Sequence, residues 1–203
     1  YQAPKIAYGA GGGAVFDPGG NFLYLYYFDW EGSQGVHLAR ACKSGCGAPG
    51  TWRKYHNGAF TSDALGVGFL PPSGPSSVIV PTGPGAFDAF TTVSHNTYLN
   101  AYLMASATES GVALRVSADG INWGPRVMVL IHHAAVDQTM RVLYPTLLDG
   151  LSWSRNQSGR QIKLIVGMEM DQAGAKVAHR AYILDLELSL ASDAPTATYH
   201  RKK

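Results

Sequence analysis

Charge is the scarcest property of this chain: Asp, Glu, Lys and Arg make up 15% of its 203 residues, and their near balance leaves a formal net charge of +2. Without a basic stripe no nucleic-acid partner is expected, and the terminal Arg201-Lys-Lys203 run reads as a solvated tail. Long apolar runs are missing too. Segments such as Val127 to Ile131 fall far short of the roughly 20 residues a spanning helix needs, so no membrane partner is expected. A sustained 3.6-residue period is absent outside a weak stretch at 132–140, which leaves little room for amphipathic helices. Cysteine is limited to Cys42 and Cys46. The Cys-Lys-Ser-Gly-Cys spacing lets the two sulfurs meet across a tight loop and reads foremost as a disulfide; a free or redox pair, or a metal site drawing on His37 and His56, are the alternatives. A disulfide implies an oxidising compartment, and so a secreted or extracellular protein. The chain opens on Tyr1 rather than Met, as expected where a signal peptide or an upstream domain has been removed. Asn156-Gln-Ser158 fits a glycosylation sequon, a pattern common by chance.

What the chain has in quantity is apolar residues, 46%, with 24 Gly and 11 Pro gathered between apolar runs, as in Pro71-Pro-Ser-Gly-Pro75 and Pro81-Thr-Gly-Pro-Gly85. That composition belongs to an all-β protein with a real core and many tight turns. The runs also repeat. Phe22 to Phe28, Tyr98 to Met104 and Gln161 to Gly167 each follow a short apolar strand and a turn, and each precedes another apolar strand. In the first copy the elements are Gly13 to Phe16, a turn at Asp17 to Asn21, the tyrosine-rich strand, Gly35 to Ala41, and Gly50 to Tyr55; in the second they are Phe87 to Val93, a turn at Ser94 to Asn96, the strand at Tyr98, Gly111 to Ser117, and the segment around Trp123. Trp52 and Trp123 are equivalent packing residues. The third copy opens at Tyr144 to Leu148, crosses a polar loop from Asp149 to Gly159 and ends on Arg180 to Leu188, with no evident fourth strand.

Copies spaced by roughly 60 to 75 residues suit propellers and arrays. The expected fold is therefore all-β, with β-propeller blades of four antiparallel strands in a single domain over 1–190 and a polar C-terminal tail over 191–203. At roughly 45 to 60 residues per blade the chain supplies about three to three and a half blades, fewer than a ring needs. Closure then requires a further segment or a second copy, unless the strands form a sandwich.

Several of these segments carry a resemblance. Phe16-Asp-Pro-Gly-Gly-Asn-Phe-Leu-Tyr-Leu-Tyr-Tyr27, Val36-His-Leu-Ala-Arg40, Gly50-Thr-Trp52 and Tyr144-Pro-Thr-Leu147 resemble the five-bladed β-propeller glycoside hydrolases of the arabinanase, xylosidase and levansucrase-like group. Ser117-Ala-Asp-Gly-Ile-Asn-Trp123 is similar to the aspartate box of sialidase-type propellers, one residue shorter between Asp119 and Trp123. In that box the Asp bonds backbone amides and the aromatic packs inside. The resemblance implies a carbohydrate partner and a secreted glycoside hydrolase, with a noncatalytic glycan-binding propeller as the alternative. No cofactor and no metal are implied.

Glycoside hydrolysis uses two carboxyl groups, one acid and one base or nucleophile. The resembling enzymes carry them at the beginnings of innermost strands, and Asp88 best matches that position; its competing role is a turn cap after Gly83-Pro-Gly85. Glu169, in Met168-Glu-Met-Asp171, is the second candidate, as a buried acid or a rim residue. Asp17 and Asp119 read as turn formers, and Asp29 and Glu31 as loop carboxylates. Arg141 and Tyr144 open the third copy and are candidates for binding sugar hydroxyls, although Tyr144 stands where the resembling enzymes often place an acid. Phe60 and Phe69 lie in a glycine-rich segment suited to a rim on which sugar rings stack. His95 reads as a surface turn residue. The adjacent His132 and His133 beside Asp137 would point to opposite faces of a strand, which argues against shared metal ligation.

Overall fold

A computed structural model describes residues 13–29, 35–45, 48, 50–63, 74–81, 89–108, 111–131, 140–172, 175–191 and 194–200. Apart from one 3-10 turn at Lys43–Gly45, the regular elements among them are strands, and they form three sheets. In the first, β1 (Gly13–Phe16), β2 (Phe22–Asp29), β3 (Gly35–Cys42), β4 (Arg53–His56) and β5 (Ala59–Asp63) make an antiparallel meander, and β6 (Val78–Pro81) returns to pair with the start of β3. The second is the meander β7 (Ala89–Asn96), β8 (Ala101–Thr108), β9 (Gly111–Ser117) and β10 (Val127–Ile131). The third begins with β11 (Met140–Asp149). Its chain then leaves as the short β12 (Gln157–Ser158), which runs parallel to β7, and comes back as β13 (Gln161–Gln172), β14 (Ala175–Ala191) and β15 (Ala194–His200).

The sheets stack face to face, with the first strand of each laid across its predecessor: β7 packs on β1 and β2, and β11 on β7 and β8. Strand β8 lies in the middle of the stack and is buried along its whole length, which is why it reads as a nearly unbroken apolar run. Its alternate side chains serve two cores, as the period of two requires. Tyr102 and Met104 join Val15, Tyr26, Phe28, Val36 and Leu38 between the first and second sheets, while Leu103 and Ala105 join Val112, Leu147, Ile162, Leu164 and Leu186 between the second and third. Each fully buried aliphatic side chain contributes about 1.5–3 kcal/mol of transfer free energy. Backbones approach closely where β1 meets β7: a Cβ on Gly13 would stand 2.8 Å from the Val93 amide nitrogen, so no other residue fits there without moving a strand.

Two parts of the sequence reading shift. The second copy's turn lies at 97–100, because β7 continues through Asn96 and β8 starts at Ala101, not at Tyr98. The Asn96 side-chain oxygen accepts the Leu99 amide at 2.8 Å, and Asn100 takes a φ of 49°, so an Asx-type turn is placed one step beyond the polar run Ser94-His-Asn96 expected to form it. Residues 194–200, expected in a polar tail, form β15 in register with β14, from Ala191 opposite Ala194 to Asp185 opposite His200. This strand is the fourth of the third copy.

Candidate functional site

The expected site lies where the first strands of neighbouring sheets begin. Both β7 and β11 carry a β-bulge near their starts, between Ala89 and Thr92 and between Leu143 and Thr146. In each bulge an aromatic residue takes the left-handed conformation, Phe90 at a φ of 49° and Tyr144 at 51°. Such a backbone costs on the order of 1 kcal/mol for a bulky residue and persists only where its surroundings hold it. The two bulges are equivalent, since Val93 and Leu147, each three residues further on, are both fully buried in the cores. Across the gap between the sheets the two rings meet edge to face, with centroids 4.6 Å apart and planes at 61°. Phe90 is half-buried against the first core, and Tyr144 is 59% exposed. One strained aromatic is thereby braced by another, and a phenol is presented to solvent at the end of the stack.

Among the described side chains, Tyr144 is the predicted binding residue that reaches this place. The side chains of Arg141 and Glu169 lie outside the described residues, but their backbones are direct cross-strand partners in β11 and β13, so both stand at the end of the third sheet nearest the start of β11. Asp88 and Phe69 lie outside the described residues altogether, as do His132, His133 and Asp137. Phe60 is on β5, half-buried between Tyr24 (5.9 Å) and Tyr55 (5.2 Å). The Arg40 guanidinium sits 4.1 Å from the ring centroids of both Phe60 and Phe22, an arrangement that fixes the edge of the first sheet by cation–π attraction. Cys42 is exposed with a free thiol, and Cys46 lies outside the described residues, so no disulfide is present among those described.

His95, expected at the surface, is buried in β7 with its ring edge-on to Tyr102 at 5.4 Å. Burial lowers its pKa from the ordinary value, because the charged ring would lose its hydration. Its neighbours explain why polar residues are inside at all. The Ser94 and Ser158 hydroxyls are 2.9 Å apart, the Asn96 side-chain amide donates to Ser158 Oγ at 3.0 Å and to the Gly159 carbonyl at 2.7 Å, and the His95 amide donates to the Asn156 carbonyl at 2.9 Å. The polar loop after β11 is therefore stitched onto β7 by a satisfied buried network. Ser158, the third residue of the sequon, is 1% exposed.

The described carboxylates have structural partners. Asp17 Oδ1 accepts the Phe22 amide at 2.7 Å and closes the turn between β1 and β2. Asp119 accepts the amides of Ile121 (2.8 Å) and Asn122 (2.7 Å), the Asn122 side-chain amide (2.7 Å) and the Ser117 hydroxyl (3.0 Å). Burial works to raise the Asp119 pKa, but these four donors outweigh it and hold the group at about 2. The aromatic half of the motif is in place as well: Trp123 packs edge-on against Tyr26 at 5.9 Å, and the Tyr26 hydroxyl donates to the Gly120 carbonyl at 3.0 Å. Burial raises the Tyr26 pKa well above the usual phenol range, which keeps that donor protonated. Asp149 holds a similar turn, with the Ser152 amide at 2.7 Å and the Gly159 amide at 2.9 Å, and its pKa is lowered chiefly by the Ser152 amide. Asp63, Asp185 and Glu187 are in ion pairs with Arg53, Lys163 and Arg160.

No protein-family model matches the sequence, and no individual characterised protein is significantly similar to it. Phe90 is the site residue that the sequence reading passed over. Aligning Ala89-Phe-Thr-Thr92 with Leu143-Tyr-Pro-Thr146 gives its signal, an aromatic two residues ahead of a threonine at the start of each first strand.

Proposed function

We propose that the protein is carbohydrate-active, that its three meanders are blades of propeller type, and that it takes a glycan at the mouth where β7 and β11 begin. The supporting observation is the Phe90–Tyr144 pair, two aromatic rings in strained backbone, one of them open to solvent. Strain at an exposed aromatic is a marker of function, and a ring presented edge-free to solvent is what the C–H face of a sugar stacks on. The hydrolytic form of the reading assigns Asp88, two residues before Phe90 in the chain, and Glu169, on the strand beside Arg141, as acid and base or nucleophile. It is supported by the commitments of the other carboxylates whose side chains are described: Asp17, Asp119 and Asp149 close turns, and Asp63, Asp185 and Glu187 are ion-paired. The test combines binding and reducing-sugar release on arabinan, xylan and levan. Tyr144→Ala is expected to weaken binding about tenfold, and Asp88→Asn to abolish release while binding survives. Binding without release in the parent protein would leave the noncatalytic glycan-binding reading; no binding to any of the polymers would overturn both.

A further inference from the structure

The hairpin that joins β4 to β5 carries a reactive dipeptide. His56 and Ala59 are its last cross-strand pair, so the loop between them is Asn57-Gly58 alone. Asn57 takes a φ of 49° and Gly58 one of 87°; two positive values in a two-residue loop define a type I′ turn, whose hand matches the twist of the strands it joins. Both residues are exposed, and a Cβ built on Gly58 would meet nothing within 4 Å. The turn is anchored through its main chain: the Asn57 amide donates to Ser77 Oγ at 3.1 Å, and the Ser77 amide donates to the Tyr55 carbonyl at 2.8 Å. The Asn57 side chain itself makes no hydrogen bond among the described residues. Asp119 and Asp149 also precede glycine in turns, but each is a carboxylate wrapped by amide donors, and the Asp119 carboxyl is held at about 2. A carboxylate anion resists nucleophilic attack, whereas the neutral, unheld carboxamide of Asn57 does not.

We propose that Asn57-Gly58 is a site of spontaneous covalent modification, at which the side-chain amide is lost and the main chain is rerouted through an isoaspartyl link, and that the turn sets the rate. Glycine leaves the Gly58 nitrogen with no side chain to shield it. Once solvent base takes its proton, that nitrogen attacks Asn57 Cγ; the N–Cγ bond forms, the Cγ–Nδ2 bond breaks, and the amide group departs as ammonia with a proton from water. Water then opens the five-membered imide at either carbonyl. Attack at Cγ leaves an ordinary aspartate, and attack at the main-chain carbon leaves an isoaspartate, with an extra methylene in the backbone. No oxidant takes part. Ring closure needs Cβ and the Gly58 nitrogen to eclipse about the Cα–C bond of Asn57, whereas type I′ geometry holds them on nearly opposite sides. The closed hairpin is therefore unreactive, and conversion proceeds through molecules in which β4 and β5 have opened at the turn. The extra methylene prevents the product from remaking the two-residue connection. Tyr55 and Phe60 then lose their register, and with Phe60 goes one of the rings that hold the Arg40 guanidinium at 4.1 Å.

Incubation of the full chain in mildly alkaline buffer, with and without urea, tests it, with residue 57 followed by peptide mapping in a mass spectrometer and by enzymatic methylation of isoaspartate. In the native sample acid is expected at residue 57, isoaspartate exceeding aspartate, while Asn96 and Asn122 keep their hydrogen-bonded amides. Urea should speed the conversion about tenfold or more, because it supplies the open hairpin. Ser77→Ala, which releases the Asn57 amide, should speed the native reaction several-fold and leave the rate in urea unchanged. The aged form, separated by its added charge, should exchange amide hydrogens across 53–63 faster than an Asn57→Asp chain, which carries the same charge on an unaltered backbone. A native chain that keeps its amide at residue 57 while the urea sample converts would overturn the site, and equal rates in the two samples would overturn control by the turn.

Discussion

Replacing Asp119 by Asn makes a permanent copy of its protonated form, and the consequence can be worked from the turn it closes. In the folded chain the carboxyl is held at about 2 against an ordinary 3.8. Fully expressed, that difference corresponds to about 2 kcal/mol of stability at neutral pH. Asp119 is exposed, so solvent screens its bonds, and about 1 kcal/mol is the reasonable expectation. Since the folded-state pKa is the depressed one, the contribution is present above the unfolded value and lost as pH falls through about 4 toward about 2. Urea unfolding of parent and Asp119→Asn should therefore differ by about 1 kcal/mol at neutral pH. That gap should close as the pH approaches 2, because the parent then carries the same neutral group. Near-ultraviolet circular dichroism would follow the Trp123–Tyr26 contact at the same time, which should loosen in the variant. A gap that stays constant from neutral to acid pH would refute the charge-based account of the turn and leave only its shape. No gap at neutral pH would refute the turn's contribution altogether.

Asn96→Ala removes the donor to Ser158 and Gly159 and the acceptor for Leu99 together; it should cost about 1–3 kcal/mol and raise amide exchange at 156–160 more than in the cores, read by hydrogen exchange. His95 supplies a pH dependence of the opposite origin to that of Asp119, though of the same sign. Its folded pKa lies below the ordinary 6.5, so its neutral form stabilises the fold above that value and the contribution is lost as pH falls through 6.5 toward the folded pKa; His95→Gln should flatten that part of the stability curve measured by thermal melts.

The sequence carried the strands well because the stack buries them in different ways that leave different patterns. β14 alternates from Leu184 to Leu188 because one face is wet, β8 is apolar throughout because both faces are covered, and each pattern has its own period. The aspartate turn was legible down to individual bonds, since Ser117, Asp119 and Trp123 act within seven residues of one another. What stayed hidden depends on partners distant in the chain. Ser94, His95 and Asn96 look like a turn because their partners, Asn156 to Gly159, lie some 60 residues on; no local rule reveals that a polar triplet will be satisfied inside. The last strand has the sequence of a tail because Pro195-Thr-Ala-Thr198 carries little hydrophobic signal, and its pairing with Leu188 and Ser189 is a matter of backbone register. The Phe90 and Tyr144 bulges were likewise invisible singly, and only the comparison of two first strands exposes them.

The outer face of the third sheet bears on how such a stack ends. On the first sheet the face toward its successor is lined by Val15, Tyr26, Phe28, Val36 and Leu38, and on the second by Leu103, Ala105, Val112 and Leu114. The corresponding positions of the third sheet hold Gln161, Lys163, Asp185 and Glu187 at one end and Ile165 and Ile183 further along, with Ile183 53% exposed. A fourth sheet laid over the charged end would strip water from two ion pairs, a penalty of several kcal/mol per ion that their mutual attraction repays only with further hydrogen bonds. Repeat arrays end on a polar outer face for the same reason. Packing on the Ile165–Ile183 half carries no such penalty, so cover by a further sheet costs less there than over Lys163 and Asp185. The position where two sheets use apolar side chains is thus the position where the third keeps charge.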